Sequence, residues 1–268
     1  KLALARKNGV DIGQSTVEEV QATYQFNDLT SFLAVYYPAM DVLQDEDDFH
    51  DLAAAYFERA RANGVVRAEC FFDPQAHTSR GIAIETVIRG YHRAVVEARE
   101  AGLSADLILC FLRDMSAQSA LETLQAALPY KDMFIGVGLD SDERDNPPTK
   151  FAEVFALARE AGLHVTMHCD IDQVGSIDNI RAALIELGAE RLDHGTNIVE
   201  DPELVAYARD HGIGLTSCPL SNSFVTEEMK GKEIVELTAA GVKVSVNSDD
   251  PAYFGGYVED NYLALAER

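Results

Sequence analysis

The sequence predicts an α/β protein built as a (β/α)₈ barrel. Short apolar runs alternate with longer amphipathic segments along most of the 268 residues, and each run suits a strand buried in a parallel sheet. No glycine-rich phosphate turn follows any run, which argues against a doubly wound sheet. Polar residues recur just past almost every run, and chemistry gathered at the carboxyl ends of many strands is characteristic of this barrel.

The apolar runs predict seven strands in strict alternation with helices. The strands are predicted at Val65–Phe71, Leu107–Leu112, Phe134–Leu139, Leu163–Met167, Arg191–Asp193, Ile213–Ser217 and Val242–Val246. Helices are predicted near 83–101, 117–128, 150–161, 176–187, 202–211 and 231–240. Several of these helices end in a glycine suited to a C-cap before the next strand, namely Gly102, Gly162, Gly188, Gly212 and Gly241.

A (β/α)₈ barrel needs an eighth strand, which we expect upstream of the opening helical segment KLALARKNG. Further C-terminal helices are expected after Arg268. The acidic segment at about 14–63 is too long for one helix of the repeat, so we interpret it as an insertion of several helices that could cover the barrel mouth. No composition shift divides residues 1–268, which predicts a single domain.

Composition and net charge exclude some classes of binding partner. A formal net charge of −23 argues against a nucleic-acid or anionic-membrane surface and is easier to reconcile with a small neutral or cationic ligand. No apolar stretch reaches the roughly 18 residues of a membrane-spanning helix, and no signal peptide is evident. The four cysteines form no CxxC pair, so we expect reduced thiols and a cytoplasmic location.

Two histidines follow predicted strands directly. His168 ends the run LHVTMH beside acidic residues and is a plausible ligand for a divalent metal; the alternative is a hydrogen-bonded histidine in a loop. His194, in RLDHGTNI, could be a metal ligand, a general base or an imidazole that bridges two loops. Gly195 would let the backbone turn sharply after it.

The segment VNSDDPAYFGG is the most informative of the chain. An apolar strand runs directly into Asp249 and Asp250, whose side chains point in opposite directions on an extended chain, so one could face a metal and the other a substrate. The alternative is an ordinary helix N-cap. Asp140 follows another strand end, and His77 lies in the loop FFDPQAHTSRG; we expect both to contact substrate.

Taken together, MHCD, DHG, SCPLSN and NSDDPAYFGGY, in this order on successive strands, resemble the adenosine/adenine deaminase family of the amidohydrolase superfamily. The similarity covers essentially the whole chain. FFDPQAHTSRG, LPYKDMFIGVGLDS with its following NPP, and SDDPAYFGGY look most like the bacterial adenine deaminase branch.

The resemblance implies a single zinc ion held by an HxH pair on the first strand, a histidine on the fifth and an aspartate on the eighth. The last two match His168 and Asp249, whereas the HxH pair has no counterpart in this sequence. Asp250 would then bind the purine ring, and His194 would orient or deprotonate the attacking water.

The sequence departs from the family pattern at the proton donor. The family usually has a glutamate three residues after the fifth-strand histidine, and that position is Ile171 here. Asp170 or Asp172 could supply the acid from a reshaped loop, and we favour Asp170 because it lies nearer the strand end.

The resemblance therefore implies a zinc-dependent hydrolase that deaminates a 6-aminopurine, with adenine as the expected substrate. The alternatives are deamination of adenosine or of a modified aminopurine nucleoside and, because of Ile171, a non-catalytic purine-binding paralogue. Without the HxH pair, we expect the 268 residues alone to bind metal weakly and to show little activity.

Overall fold

The protein is described by a computed structural model, which covers residues 1–169, 175–226 and 228–267. Seven parallel strands form one sheet in sequential order from β1 to β7. The strands are β1 (Arg67–Phe72), β2 (Ser104–Leu112), β3 (Gly136–Asp140), β4 (His164–Cys169), β5 (Arg191–His194), β6 (Gly214–Ser217) and β7 (Lys243–Val246). Each matches a strand predicted from an apolar run, with ends shifted by a few residues.

Helices separate the strands as predicted. Before β1 lie α1 (Leu2–Asn8), α2 (Val17–Ala22), α3 (Leu29–Ala39) and α4 (Glu46–Ala62). The later helices are α5 (Pro74–Thr78), α6 (Ile84–Glu100), α7 (Ala117–Ala127), α8 (Ala152–Glu160), α9 (Ser176–Arg181), α10 (Pro202–His211), α11 (Pro219–Val225), α12 (Gly231–Ala239), α13 (Pro251–Phe254) and α14 (Val258–Ala266). α9 continues as one π-helical turn over Ala182–Glu186, so the helix predicted at 176–187 is present. The helices α5, α11, α13 and α14 were not predicted from the sequence.

The glycines predicted to end helices do so. Gly102, Gly162, Gly188, Gly212 and Gly241 all have a positive φ. A left-handed residue after the last helical turn lets the chain reverse into the next strand, and glycine adopts it without a Cβ clash.

A network of polar side chains links strands across the concave side of the curled sheet. Arg191 on β5 donates from Nη1 to Glu69 Oε2 on β1 at 2.6 Å, and its Nε lies 3.4 Å from Asp193 Oδ1. Asp193 also accepts hydrogen bonds from Thr166 on β4 and Thr216 on β6. The network therefore joins strands that are not neighbours, as a curled sheet permits.

The helical segment before β1 reaches the carboxyl ends of the strands. Phe32 of α3 packs on Phe254 with ring centroids 4.9 Å apart, and Tyr36 packs on Tyr253 at 5.5 Å. Both partners belong to α13, which directly follows the end of β7. α3 thus lies over the face where the predicted functional residues emerge.

No helix within the described ranges is both long enough and apolar enough to span a bilayer.

Gly195 offers a test of the packing at the end of β5. It has φ +75°, and a Cβ there would lie 2.8 Å from Leu215 Cδ2. Gly195→Ala should therefore lower the free energy of unfolding by roughly 2–4 kcal/mol, because the alanine is strained in the left-handed conformation and overpacks against Leu215.

Gly102→Ala is the matched control, because Gly102 has φ +90° and no described atom lies within 4 Å of where its Cβ would stand. It should cost only about 1–2 kcal/mol. Equal losses for the two variants in urea denaturation would show that packing at Gly195 does not matter.

Candidate active site

Three of the predicted residues meet where β4, β5 and β7 end. The rings of His168 and His194 pack edge to face with centroids 4.4 Å apart. His194 Nε2 lies 3.6 Å from Asp249 Oδ2. The side chain of His194 is 4% exposed and that of Asp249 is 25% exposed, so the three groups share a largely desolvated space that still opens to solvent.

The backbone is unusual at two of these positions. His194 has φ 63° and Asp249 has φ 53°, in the left-handed region that most residues other than glycine avoid. Strained conformations of this kind cost about 1–3 kcal/mol and cluster at functional sites. Here the left-handed backbone of His194 and of Asp249 changes the direction of each side chain just where its strand ends.

A buried carboxylate orients His168. Glu143, in the loop after β3, places Oε1 2.5 Å from His168 Nδ1, and the Glu143 side chain is fully buried. Because an ionised carboxylate only accepts hydrogen bonds, Nδ1 carries the proton and Nε2 is left with a lone pair when the ring is neutral. Burial alone would lower the pKa of His168, but the contact with Glu143 outweighs it and the net pKa is raised.

Arg113, at the end of β2, supports the same histidine through the backbone. Its guanidinium is fully buried; Nη1 donates to the His168 carbonyl oxygen at 2.7 Å, and Nε donates to the Asn146 carbonyl at 2.9 Å. Nη1 also lies 3.8 Å from Glu143 Oε1. The buried cation thus offsets the buried carboxylate beside it, which reduces the cost of desolvating either charge.

An amide orients His194 in a similar way. Asn222 Oδ1 lies 2.8 Å from His194 Nδ1, so Nδ1 donates and Nε2 faces Asp249. Burial and the neighbouring His168 lower the pKa of His194. A buried, neutral imidazole with a free Nε2 lone pair can accept a proton.

Two further carboxyl groups have pKa values above their ordinary range. Burial raises the pKa of Asp250 well above its usual value, and the neighbouring Asp249 raises it further. Asp140, at the end of β3, likewise has a raised pKa because of burial and of Asp73 at the end of β1. In both groups, therefore, burial and a neighbouring carboxyl group favour the protonated form.

These groups line one cavity of about 1200 Å³. Among the predicted site residues, its wall includes Asp140, His168, His194, Asp249 and Asp250. The side chains of α3 described above form part of the same wall. Convergent polar groups with perturbed pKa values in a large concavity are the usual mark of an active site.

His77 is placed differently from the other predicted residues. It is 2% exposed, packs edge to face on Phe49 at 4.7 Å, and accepts a hydrogen bond from Arg80 at 2.9 Å. Burial and Arg80 lower its pKa to about 3. It is not among the described residues that line the cavity, so its predicted contact with substrate has no support in this geometry. Asp170, with Ile171 and Asp172, lies outside the described residues.

Neither Glu143 nor the role of Arg113 was predicted from the sequence. The signal that could have found Glu143 was the run of acids after β3, in which it is the third acid, after Asp140 and Asp142. The cysteines were predicted only to be reduced thiols, whereas ligand atoms of His194, Cys218 and Asp249 all lie within 4.8 Å of one another.

The donor set suits a zinc ion. Zinc takes imidazole nitrogen, carboxylate oxygen and thiolate sulfur at about 2.0–2.3 Å. At such centres a histidine usually binds the metal through one ring nitrogen and donates a hydrogen bond from the other to a carboxylate. His168, held by Glu143, meets this description, and Asp249 supplies a carboxylate oxygen on the wall of the same cavity.

The chain is similar to several known proteins over nearly its whole length. The family model described as adenosine deaminase matches residues 2–268. An adenine deaminase of Geotalea uraniireducens is 52% identical over 264 residues, which cover 97% of this chain and 74% of that protein. An uncharacterized deaminase of Schizosaccharomyces pombe is 47% identical over 269 residues, covering 100% and 79%.

Two solved structures share the fold. The adenine deaminase from Arthrobacter aurescens is 45% identical, with a TM-score of 0.94 over 99% of this chain and 81% of that one. An amidohydrolase from Burkholderia ambifaria with bound Zn is 28% identical, with a TM-score of 0.85 over 98% and 74%. These matches confirm the predicted barrel class, and the chain belongs to the adenosine deaminase family.

Proposed function

We propose that this protein deaminates adenine hydrolytically to hypoxanthine and ammonia. The observation that carries the proposal is the convergence of His168, His194 and Asp249 on one cavity at the strand ends. The relatives named adenine deaminase, at 48–52% identity over 97–98% of this chain, support the same reaction.

A zinc ion is the metal that we propose for the site, with His168 and Asp249 as ligands from this chain. His168 would bind through Nε2, because Nδ1 is already engaged by Glu143. When bound, zinc acts as a Lewis acid that makes water a competent nucleophile near neutral pH. The bound Zn of the Burkholderia ambifaria amidohydrolase supports this choice.

The side chains of this protein would handle the protons. His194 accepts a proton at Nε2 from the attacking water, while Asn222 holds the ring in place through Nδ1. The water oxygen adds to C6 of the purine, His194 returns its proton to the amino group, and the C6–N bond breaks as ammonia leaves. Asp250, whose pKa is raised by burial and by Asp249, is proposed to hydrogen-bond the purine ring. Asp170 is proposed as the acid that protonates the ring.

The charge of the cavity supports a neutral substrate. Asp73, Asp140, Asp249 and Asp250 all line it, and the whole chain carries a net charge of −23. Of these four, only Asp73 is assigned neither a favoured protonated form nor a role in metal binding, and its carboxylate would repel a phosphate group. A free base or a nucleoside fits these electrostatics better than a nucleotide.

The full-length, zinc-loaded protein should release ammonia from adenine, as measured by a coupled ammonia assay. His194→Asn should lower kcat by roughly 10²–10⁴-fold because the amide cannot accept the proton, while zinc content stays normal. His211→Asn is the control, because His211 is exposed and bonds only the Tyr207 carbonyl in the same helix among its described contacts. Purine binding without turnover would favour the non-catalytic paralogue, and turnover confined to adenosine would favour the nucleoside deaminase.

Glu143→Gln should weaken zinc affinity by about 10–100-fold, as loss of a carboxylate that orients a metal-binding histidine usually does. Glu190→Gln is a closely matched control. Glu190 bonds Nδ1 of His164 at 2.7 Å, at the opposite end of the same strand, with its side chain 54% exposed. Competition with a zinc chelator measures both affinities. If the two variants bind zinc equally well, Glu143 does not orient a ligand.

A further inference from the structure

The loop between β3 and α8 divides three consecutive side chains between two partners. Glu143 reaches inward, and its Oε1 lies 2.5 Å from His168 Nδ1. Asp142 and Arg144, on either side of it in the chain, both contact Thr30 in the first turn of α3. The loop therefore connects the helix that lies over the cavity with the histidine that we propose as a metal ligand.

The contact between the loop and α3 is a closed set of hydrogen bonds. Thr30 Oγ1 donates to Asp142 Oδ2 at 3.0 Å and accepts a hydrogen bond from Arg144 Nη2, which uses both capacities of a hydroxyl group. Arg144 Nη2 also lies 3.2 Å from Asp142 Oδ2, and the Arg144 backbone N–H donates to Asp142 Oδ1 at 3.1 Å. The Asp142 side chain is only 23% exposed, so solvent screens these contacts incompletely.

The loop is also fixed internally. The Asn146 side-chain amide donates to the carbonyl oxygens of Asp142 at 3.0 Å and of Arg144 at 2.9 Å. The carbonyl oxygen of Asn146 accepts a hydrogen bond from Arg113, the same buried guanidinium that donates to the His168 carbonyl. A displacement at the outer side of the loop is therefore passed to its inner side through contiguous hydrogen bonds.

The remaining described contacts of α3 around the cavity are mostly apolar. Phe32 and Tyr36 line the cavity and pack on the aromatic rings of α13. Apolar packing is non-directional, whereas hydrogen bonds require a defined distance and angle. The hydrogen bonds of Thr30 therefore set the position of α3 relative to the loop.

We propose that Thr30 and Asp142 are positioning residues whose contact sets the orientation of Glu143, and through it that of His168, so that metal binding depends on where α3 lies over the cavity. This inference rests on the proposed zinc site and adds a part of the chain that controls it. Neither Thr30 nor Asp142 is among the described residues that line the cavity, so their effect on the metal has to pass through Glu143.

A double-mutant cycle in the full-length protein tests this route, with zinc affinity measured by competition with a chelator. Thr30→Val keeps the shape of the side chain and removes the hydroxyl group, so it should weaken zinc affinity by roughly 3–10-fold, the range of one hydrogen bond. In the Glu143→Gln background, the same change should alter zinc affinity by less than about twofold, because residues that act through one network are not additive.

Three further variants keep the result interpretable. Thr30→Ser retains the hydroxyl group and should keep the zinc affinity of the parent protein. Asp142→Ala, made in the same two backgrounds, removes the contact from the loop side and should repeat the pattern of Thr30→Val. Thr86→Val is the matched control, because Thr86 is also half-buried in the first turn of a helix but belongs to α6, and its zinc affinity should not change. The midpoint of thermal unfolding, measured for every variant, verifies that the fold is retained.

Equal effects of Thr30→Val in the two backgrounds would overturn the proposal, because a general loosening of the fold acts whether or not Glu143 is present. Unchanged zinc affinity with only a lower midpoint of thermal unfolding would overturn it as well, since the contact would then be structural alone. In either case, ammonia release from adenine by the parent protein leaves the proposed function intact. If the parent protein binds no zinc, the metal assignment and this inference fail together.

Discussion

The register between β4 and β5 is the constraint on which the candidate site depends. His168 is paired with Asp193 and Cys169 with His194, so the two histidines lie one position apart at the ends of adjacent parallel strands. Regular strands would put the side chain of His168 on the face of Asp193 and that of His194 on the face of Cys169, so the register alone would point the two imidazoles to opposite faces. The left-handed conformation of His194, with φ 63°, turns its ring away from that regular position, and the two rings are in contact. The left-handed conformations of His194 and Asp249 then direct the side chains toward the same space.

Desolvation sets the chemistry of the groups around that space. Arg113 and Glu143 are fully buried together, and their contacts fix both the side chain and the carbonyl group of His168. Where acids meet without a cation, as at Asp73 and Asp140, burial is accommodated by retention of a proton. The wall of one cavity thus carries both side chains that could bind a cation and acids whose protonated form is favoured by burial.

The strands and the main helices could be predicted because apolar runs bounded by glycines are local signals. His168, His194 and Asp249 could be predicted because parallel strands bring their carboxyl ends together. The partnership of Glu143 with His168 could not, since it joins two loops 25 residues apart whose approach depends on packing. The predicted contact of His77 with substrate stays a prediction without support in this geometry, because the short helix α5 turns its ring onto Phe49.

The most direct test of the central claim is the position of the metal. Crystals of the full-length, zinc-loaded protein should give one strong peak in an anomalous difference map at the zinc edge. We expect it within about 2.2 Å of His168 Nε2 and of an Asp249 carboxylate oxygen. Two groups of described residues have ligand atoms within 4.8 Å of one another, namely His194, Cys218 and Asp249, and Asp73, Cys110 and Asp140. A peak held by either group without His168 would contradict the assignment of the metal centre.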